Sequence, residues 1–420
     1  MDKSQVTLFP TSFNGTVKAP PSKSLSHRAL ICAGLSKGES YIENIVYSED
    51  INATMFALES LGVSFSKQKG GLKVKGVKRL KLADKVINCN ESGSTIRFLI
   101  PLFSLTNKEV RFTGETELMN RPQTVYKDLF AAQGVPLEFK DNGIVVNGSL
   151  KPNEFILKGD VSSQFFSGLM FALPLLNSDS TILIQGSLES KSYVDLTISI
   201  LETFGIEIQE IENGYFIKGN QTYKPNNYRV EGDYSQAAFH LVGGVIGGYV
   251  EITDMNQESV QGDLAIIDII QTMKGKVVFT ENGYITETSK TKSSIVDIKD
   301  CPDLGPIVSL LAALSSGTTR IINAHRLRIK ESDRIKSTVE TLKLLGANIT
   351  SENDEIVVRG RKTLTGGVTV DSYNDHRIAM MVAIASSRFE KEVVLTRATS
   401  VNKSYPHFFE DFKSLGGKFK

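Results

Sequence analysis

Lys23, Arg28, Arg97, Arg121, Lys330, Arg334, Arg377 and Lys403 are eight cations at what the sequence pattern marks as helix N-termini. Cations are disfavoured there by roughly 0.3–1 kcal/mol each at exposed sites, because the helix dipole is positive at that end. Their neighbours are hydroxyls, amides and carboxylates. The stretch Pro20-Pro21-Ser22-Lys23-Ser24-Leu25-Ser26-His27-Arg28 joins a strand-like segment to a helix-like run, with prolines fixing φ and serines able to cap. Similar openings follow at Ser92-Gly93-Ser94, Ser162-Ser163-Gln164, Asp233-Tyr234-Ser235-Gln236, Asp303 and Asp375-His376-Arg377. A second set opens near Arg121-Pro122, at Ser190 and Tyr193, at Gln261-Gly262-Asp263, at Lys330-Glu331 with Arg334, and at Lys403. Capping alone accounts for the serines and aspartates but not for the cations. The pattern implies a cleft for ligands bearing several phosphate and carboxylate groups, bound at helix N-termini. Asp303 and Glu331, ordinary as single carboxylates, become the candidates for proton transfer inside such a cleft.

Other chemistries fit poorly. There is no Walker loop, and the Gly243-Gly244 and Gly247-Gly248 pairs fall late in a helical run rather than after a strand. His27, His240, His325, His376 and His407 lack metal-ligand spacing. Cys32, Cys89 and Cys301 form no Cys-x-x-Cys pair, so neither a zinc site nor a disulfide framework is indicated. The net charge of +1 argues against a broad nucleic-acid or membrane surface. The N-terminus has no signal-like apolar core, and the longest apolar run, 165–176, is too short to span a bilayer. The expectation is a reduced, cytoplasmic protein, binding no nucleic acid and no membrane, and monomeric.

The elements that position these residues repeat. An apolar helical end, a glycine, a short strand, a turn and a second strand begin at Gly62, Gly134, Gly205, Gly275 and Gly346, with a truncated copy at Gly416. Successive starts lie 70 to 72 residues apart. Asn-Gly at 142–143, 213–214 and 282–283 predicts two-residue hairpins with φ > 0 at both turn positions. The glycine after each helix predicts a left-handed stop. Between hairpins each copy reads strand, apolar helix, strand, amphipathic helix, so the unit is βαβαββ. The sixth copy ends at Lys420 before its last strand, and Gln5–Phe9 is a strand without a partner in the first copy, so it fills that vacancy. The expected domains are 1–20 plus 232–420, and 21–231, each of three units.

Ser22-Lys23-Ser24-x-Ser26-x-Arg28, Met119-Asn120-Arg121-Pro122, Ser162-Ser163-Gln164, Lys330-Glu331-Ser332-Asp333-Arg334 and Asn374-Asp375-His376-Arg377 resemble the 5-enolpyruvylshikimate-3-phosphate synthase family, in order, from Pro20 to Lys403. The resemblance implies an α/β fold, a two-domain inside-out α/β barrel with helix N-termini facing the interdomain cleft. It implies transfer of the enolpyruvyl group of phosphoenolpyruvate to the 5-hydroxyl of shikimate-3-phosphate, with release of phosphate and without metal or cofactor. Ser24, Arg28, Ser162, Ser163, Gln164, Ser190, Tyr193, Asp303 and Lys330 would hold shikimate-3-phosphate. Lys23, Gly93, Arg121, Gln164, Arg334, Arg377 and Lys403 would hold phosphoenolpyruvate, the pocket that glyphosate also occupies. The resemblance assigns the catalytic roles to Lys23, Asp303, Glu331 and Lys403. Asp303 would accept the 5-hydroxyl proton, and Glu331, with Lys403, would protonate the methylene carbon. Gly93 would let ligand approach the backbone, since any Cβ there would project into the anion site.

Two places depart from the family pattern. Glu91-Ser92-Gly93-Ser94 replaces the usual Asn-Ala-Gly-Thr, and Arg326 stands where many relatives have asparagine. The rival enzyme of the same fold is the UDP-N-acetylglucosamine enolpyruvyl transferase, but its loop cysteine has no counterpart between Gly114 and Arg121. A clamp-like nucleic-acid-binding repeat protein is the rival from another class, opposed by the low net charge.

Overall fold

A computed structural model describes residues 4–141 and 143–420. The chain divides into two compact units, Pro21–Val230 and Met1–Pro20 with Glu231–Lys420. The first contains α1 (Lys23–Leu35), α2 (Glu49–Glu59), α3 (Gly93–Ser104), the single turn α4 (Thr116–Met119), α5 (Thr124–Ala132), α6 (Ser163–Ala172) and α7 (Lys191–Thr203). The second contains α8 (Tyr234–Gly247), α9 (Ala265–Thr272), α10 (Gly305–Ala313), α11 (Arg334–Leu344), α12 (His376–Ala385) and α13 (Phe408–Ser414).

Each unit has three four-stranded sheets among the described residues, and all six share one strand order. In one, Val86–Asn88 runs parallel to Glu109–Thr113, which pairs antiparallel with Gly143–Asn147, itself antiparallel to Leu137–Lys140. The sixth sheet keeps that order with a strand from the far end of the chain. Val6–Phe9 lies between Val393–Thr396 and Lys418–Phe419, antiparallel to both. Two further sheets take their first strand from beyond a crossing of the chain. Phe13–Lys18 pairs with Gly248–Thr253, and Asn227–Arg229 pairs with Glu39–Glu43.

Sheets turn one face outward, as the alternating burial of Glu154–Lys158 records. Helices fill the interior. Every residue of α8, α10 and α12 is buried, and these three helices pack on one another. Their sequences are apolar nearly all round, which only a helix surrounded by protein tolerates. The arrangement is inside-out, with sheets at the surface and helices within.

Local details correct three expectations. The hairpin turns at 213 and 282 sit one residue earlier than expected, on Glu212-Asn213 and Glu281-Asn282, with Gly214 and Gly283 already paired in the ladder. Neither Asn213 nor Asn282 has positive φ. The glycine serves a close approach instead, because a Cβ on Gly214 would lie 1.9 Å from the Ile182 carbonyl oxygen. Asn142 of the remaining Asn-Gly pair lies outside the described residues. The left-handed helix stops occur at Gly62, Gly134, Gly205, Gly346 and Gly416, but in the fourth copy Lys274 takes that conformation (φ 65°) and Gly275 follows it. Finally, Lys330 and Lys403 do not open helices. Lys330 follows a 3₁₀ turn, His325–Ile329, and Lys403 ends another, Ala398–Lys403.

Candidate active site

In the unit Glu231–Lys420 the expected residues gather around Asp303, which lies in the 3₁₀ turn Pro302–Leu304 leading into α10. Asp303 Oδ1 accepts from Arg334 Nη1 at 2.9 Å and lies 3.0 Å from Lys330 Nζ, while Oδ2 accepts from Arg377 Nη2 at 2.9 Å. Burial alone would push this carboxyl up, but Arg377, Lys330 and Arg334 together outweigh it and hold it well below the usual carboxylate range. The pKa of Lys330 is lowered as well, by burial, and is only partly restored by Asp303.

Arg334, at the first position of α11, is 1% exposed. Its Nε donates to Asp375 Oδ2 at 2.7 Å, Nη1 to Asp303, and Nη2 to both Glu331 and Asp375. Burial works against the cation, yet Asp375, Glu331 and Asp303 push its pKa upward overall. Asp375 also caps α12, accepting from the Arg377 backbone N–H at 2.9 Å. Arg377 donates further to the Ser235 carbonyl and hydroxyl at 3.2 and 2.9 Å. Lys403 reaches the Asn374 carbonyl. Three cations (Lys330, Arg334, Arg377) thus face three carboxylates (Asp303, Glu331, Asp375). Buried cations need partners, and in this unit carboxylates supply them.

The unit Pro21–Val230 holds a second group. Ser22 caps α1, accepting from the Leu25 N–H at 3.4 Å. Lys23 follows it, its Nζ 2.7 Å from Asp50 Oδ2. Arg28 is buried, donating to the Ser24 carbonyl (2.7 Å), the Tyr193 carbonyl (3.0 Å) and Thr197 Oγ1 (2.8 Å). Burial pulls its pKa down to about 10. Such a guanidinium braces α1 against α7 as much as it faces any ligand. Ser162 caps α6, and Ser163 and Gln164 follow. The Gln164 amide is clamped, Nε2 donating to Ser94 Oγ and Oε1 accepting from Arg97 Nη1, both at 2.9 Å. Ser190 precedes α7 in the left-handed region (φ 52°), with its hydroxyl not spent on a cap. Tyr193, one turn later, is partly exposed.

A methyl on Gly93 would meet the guanidinium of Arg121, 2.7 Å from Nη1. Arg121 Nε is buried and makes no hydrogen bond among the described residues. Asp50 and Thr197 hold expected site residues and were not singled out from sequence. Asp50 carried one available signal, a carboxylate in the first turn of α2, which reads as ordinary helix-dipole compensation.

The model of the EPSP synthase (3-phosphoshikimate 1-carboxyvinyltransferase) family matches residues 9–412. The chain belongs to the EPSP synthase family. It is 47% identical to a 3-phosphoshikimate 1-carboxyvinyltransferase of Clostridium novyi, over 98% of this chain and 97% of that protein. A relative of the same name from Clostridioides difficile is 45% identical over 98% and 97%. Among solved structures, EPSP synthase from Acinetobacter baumannii superposes with a TM-score of 0.82 at 24% identity, covering 99% of both chains. The enolpyruvyl transferase NikO from Streptomyces tendae gives 0.81 at 15% identity, covering 99% and 98%. At such identities these structures speak for the fold, and the two-domain inside-out α/β architecture of EPSP synthases is the one described above.

Proposed function

We infer that this protein is a 3-phosphoshikimate 1-carboxyvinyltransferase of the shikimate pathway. It moves the enolpyruvyl group of phosphoenolpyruvate to the 5-hydroxyl of shikimate-3-phosphate and releases phosphate. The observation that carries the reading is the family match across 9–412, with relatives of that name 47% identical over nearly the whole chain.

The chemistry is an addition followed by an elimination. The 5-oxygen bonds to C2 of phosphoenolpyruvate while C3 gains a proton; then C3 loses a proton and the C2–O bond to phosphate breaks. Asp303 is assigned to take the 5-hydroxyl proton. Glu331, with Lys403, is assigned to deliver and recover the C3 proton. Lys23, Arg121, Arg334, Arg377 and Lys403 hold the carboxylate and phosphate of phosphoenolpyruvate, for which guanidinium forks are well shaped; Gly93 and Gln164 complete that pocket. Ser24, Arg28, Ser162, Ser163, Gln164, Ser190, Tyr193, Asp303 and Lys330 hold shikimate-3-phosphate. Support comes from the buried, unpartnered Nε of Arg121 and from the left-handed Ser190, since backbone strain of this kind gathers at functional sites.

Asp303 is held in its ionised form by the three surrounding cations. It is therefore a weak base as it stands. A bound anion that draws Arg334 and Arg377 toward itself raises the basicity of Asp303 as the substrates assemble.

The two compact units are taken as the two domains, each of three βαβαββ units. The reading extends to a cytoplasmic monomer that binds neither nucleic acid nor membrane, supported by the net charge of +1. No helix among the described residues is long and apolar enough to cross a membrane. Proton and phosphorus NMR of a reaction with both substrates tests the function. A vinyl ether at O5 together with inorganic phosphate is the expected product; intact substrates, or an enolpyruvyl group on another oxygen, would overturn it.

A further inference from the structure

His27 has no part in the chemistry assigned above, yet it is wholly buried in α1, one turn after Lys23. Its Nδ1 lies 2.7 Å from Thr54 Oγ1, which lies 2.6 Å from Thr95 Oγ1, which donates to Ser92 Oγ at 2.7 Å. Thr54, Thr95 and Ser92 are 0% exposed. The chain of hydroxyls therefore crosses α1, α2 and α3 and ends on the residue that caps α3, where Ser92 Oγ also accepts the Thr95 N–H at 3.1 Å. Along the way the Thr95 hydroxyl passes 3.5 Å from the carbonyl of Asp50, whose carboxylate holds Lys23.

Counting protons gives the chain a direction. A hydroxyl has one proton. Thr95 spends its proton on Ser92 Oγ or on the Asp50 carbonyl, and in either case must accept from Thr54; Thr54 has then spent its own proton and must accept from His27. The ring is therefore the neutral Nδ1–H tautomer. Its Nε2 is a buried acceptor without a hydrogen-bond partner. Protonation there is opposed by burial and by the neighbouring Lys23 and Arg28. Packing alone does not ask for this. His27 sits edge-on to Phe98, with ring centroids 6.4 Å apart, a place an apolar ring would fill without leaving a polar atom orphaned.

We propose that His27 is a positioning residue which, through Thr54 and Thr95, fixes the Ser92 cap and with it the Gly93-Ser94 backbone beside Arg121 and Gln164. Ser94 anchors the Gln164 amide and Gly93 abuts the Arg121 guanidinium, so a displaced α3 start moves both. The proposal rests on the reading that these residues hold phosphoenolpyruvate.

Four variants test it: His27→Phe, His27→Asn, His27→Gln and Thr54→Val. Asparagine places an amide near the position of Nδ1, whereas glutamine places it near that of Nε2. His27→Phe, His27→Gln and Thr54→Val should raise KM for phosphoenolpyruvate about tenfold, with kcat and KM for shikimate-3-phosphate within about threefold. His27→Asn should stay within about threefold of the parent in all three parameters. Equal impairment of the Asn and Phe variants at matched Tm would overturn the proposal, as would unchanged KM in both His27→Phe and Thr54→Val. If His27→Phe fails to fold, Thr54→Val, which keeps the side-chain shape, decides. Long-range proton–nitrogen NMR of the His27 ring gives a readout independent of turnover. The neutral Nδ1–H form should persist from about pH 5 to about pH 8. An Nε2–H tautomer or an imidazolium in that range would overturn the chain, even if the transferase reading itself had failed.

Discussion

Gly93 and Arg121 share one space: a β-carbon on the glycine would lie 2.7 Å from Arg121 Nη1 and 3.1 Å from Cζ. Room for the methyl comes only from moving the flexible end of the arginine. Gly93→Ala should therefore weaken phosphoenolpyruvate binding by displacing a guanidinium assigned to hold that substrate. Glyphosate, the longer molecule, should suffer more, since a methylene-sized change discriminates by about 1–3 kcal/mol. The expected result is a rise of about tenfold or more in the inhibitory concentration, with a smaller rise in KM for phosphoenolpyruvate. Inhibition of both variants at matched substrate saturation checks this, and equal inhibition would separate Gly93 from the pocket.

Asp303→Ala should lower turnover by roughly 10²–10⁴, the range for loss of a general base. Shikimate-3-phosphate affinity should stay within about tenfold, because several other groups are assigned to hold that ligand. Titration calorimetry and single-turnover kinetics separate the two effects. Near-normal turnover would remove Asp303 from proton transfer.

Acid should destabilise the fold in two stages. His240, buried against Phe408 and 3.2 Å from the Tyr405 hydroxyl, has its pKa lowered to about 4 by burial, and that of His27 is also lowered well below its usual value. In the unfolded chain both titrate near about 6.5. Below that pH the unfolded state binds more protons than the native state, so stability present above about pH 6.5 is lost as pH falls, by at most about 1.4 kcal/mol per pH unit per histidine. Asp303, held low, adds a second loss only below the ordinary carboxylate range near about pH 4. Urea midpoints at pH values from about 7 to about 4.5 should decline, and less steeply in His240→Phe. A flat profile would contradict the neutral, buried state of these rings.

The three cysteines should be inert. Cys32, Cys89 and Cys301 are buried, and burial raises each thiol pKa, so little thiolate exists at neutral pH. Mild alkylation should leave activity intact, and fosfomycin should not inactivate. Rapid covalent inactivation would favour the UDP-N-acetylglucosamine transferase.

The repeat was legible because its signals are local. A helix stop, an alternating strand and a hairpin recur within a dozen residues, and the strand missing from the sixth copy could be found by counting. Val6–Phe9 does fill it, between Val393–Thr396 and Lys418–Phe419. The serines at helix starts were legible for the same reason. What sequence could not give is who neutralises whom. Lys23 finds Asp50 27 residues away and Arg377 finds Asp303 74 residues away, pairings set by packing rather than spacing. The hairpin glycines show the same limit, since the neighbour that demands Gly214 is a carbonyl on another strand. Lys274 in place of glycine shows that a left-handed stop fixes the backbone shape and not the residue.

Steady-state phosphate release with phosphoenolpyruvate and a choice of acceptor tests the central claim most directly. Shikimate-3-phosphate should support saturable release, phosphoenolpyruvate alone should give none, and UDP-N-acetylglucosamine should not substitute. Release driven by UDP-N-acetylglucosamine, or no release with shikimate-3-phosphate, would contradict the account.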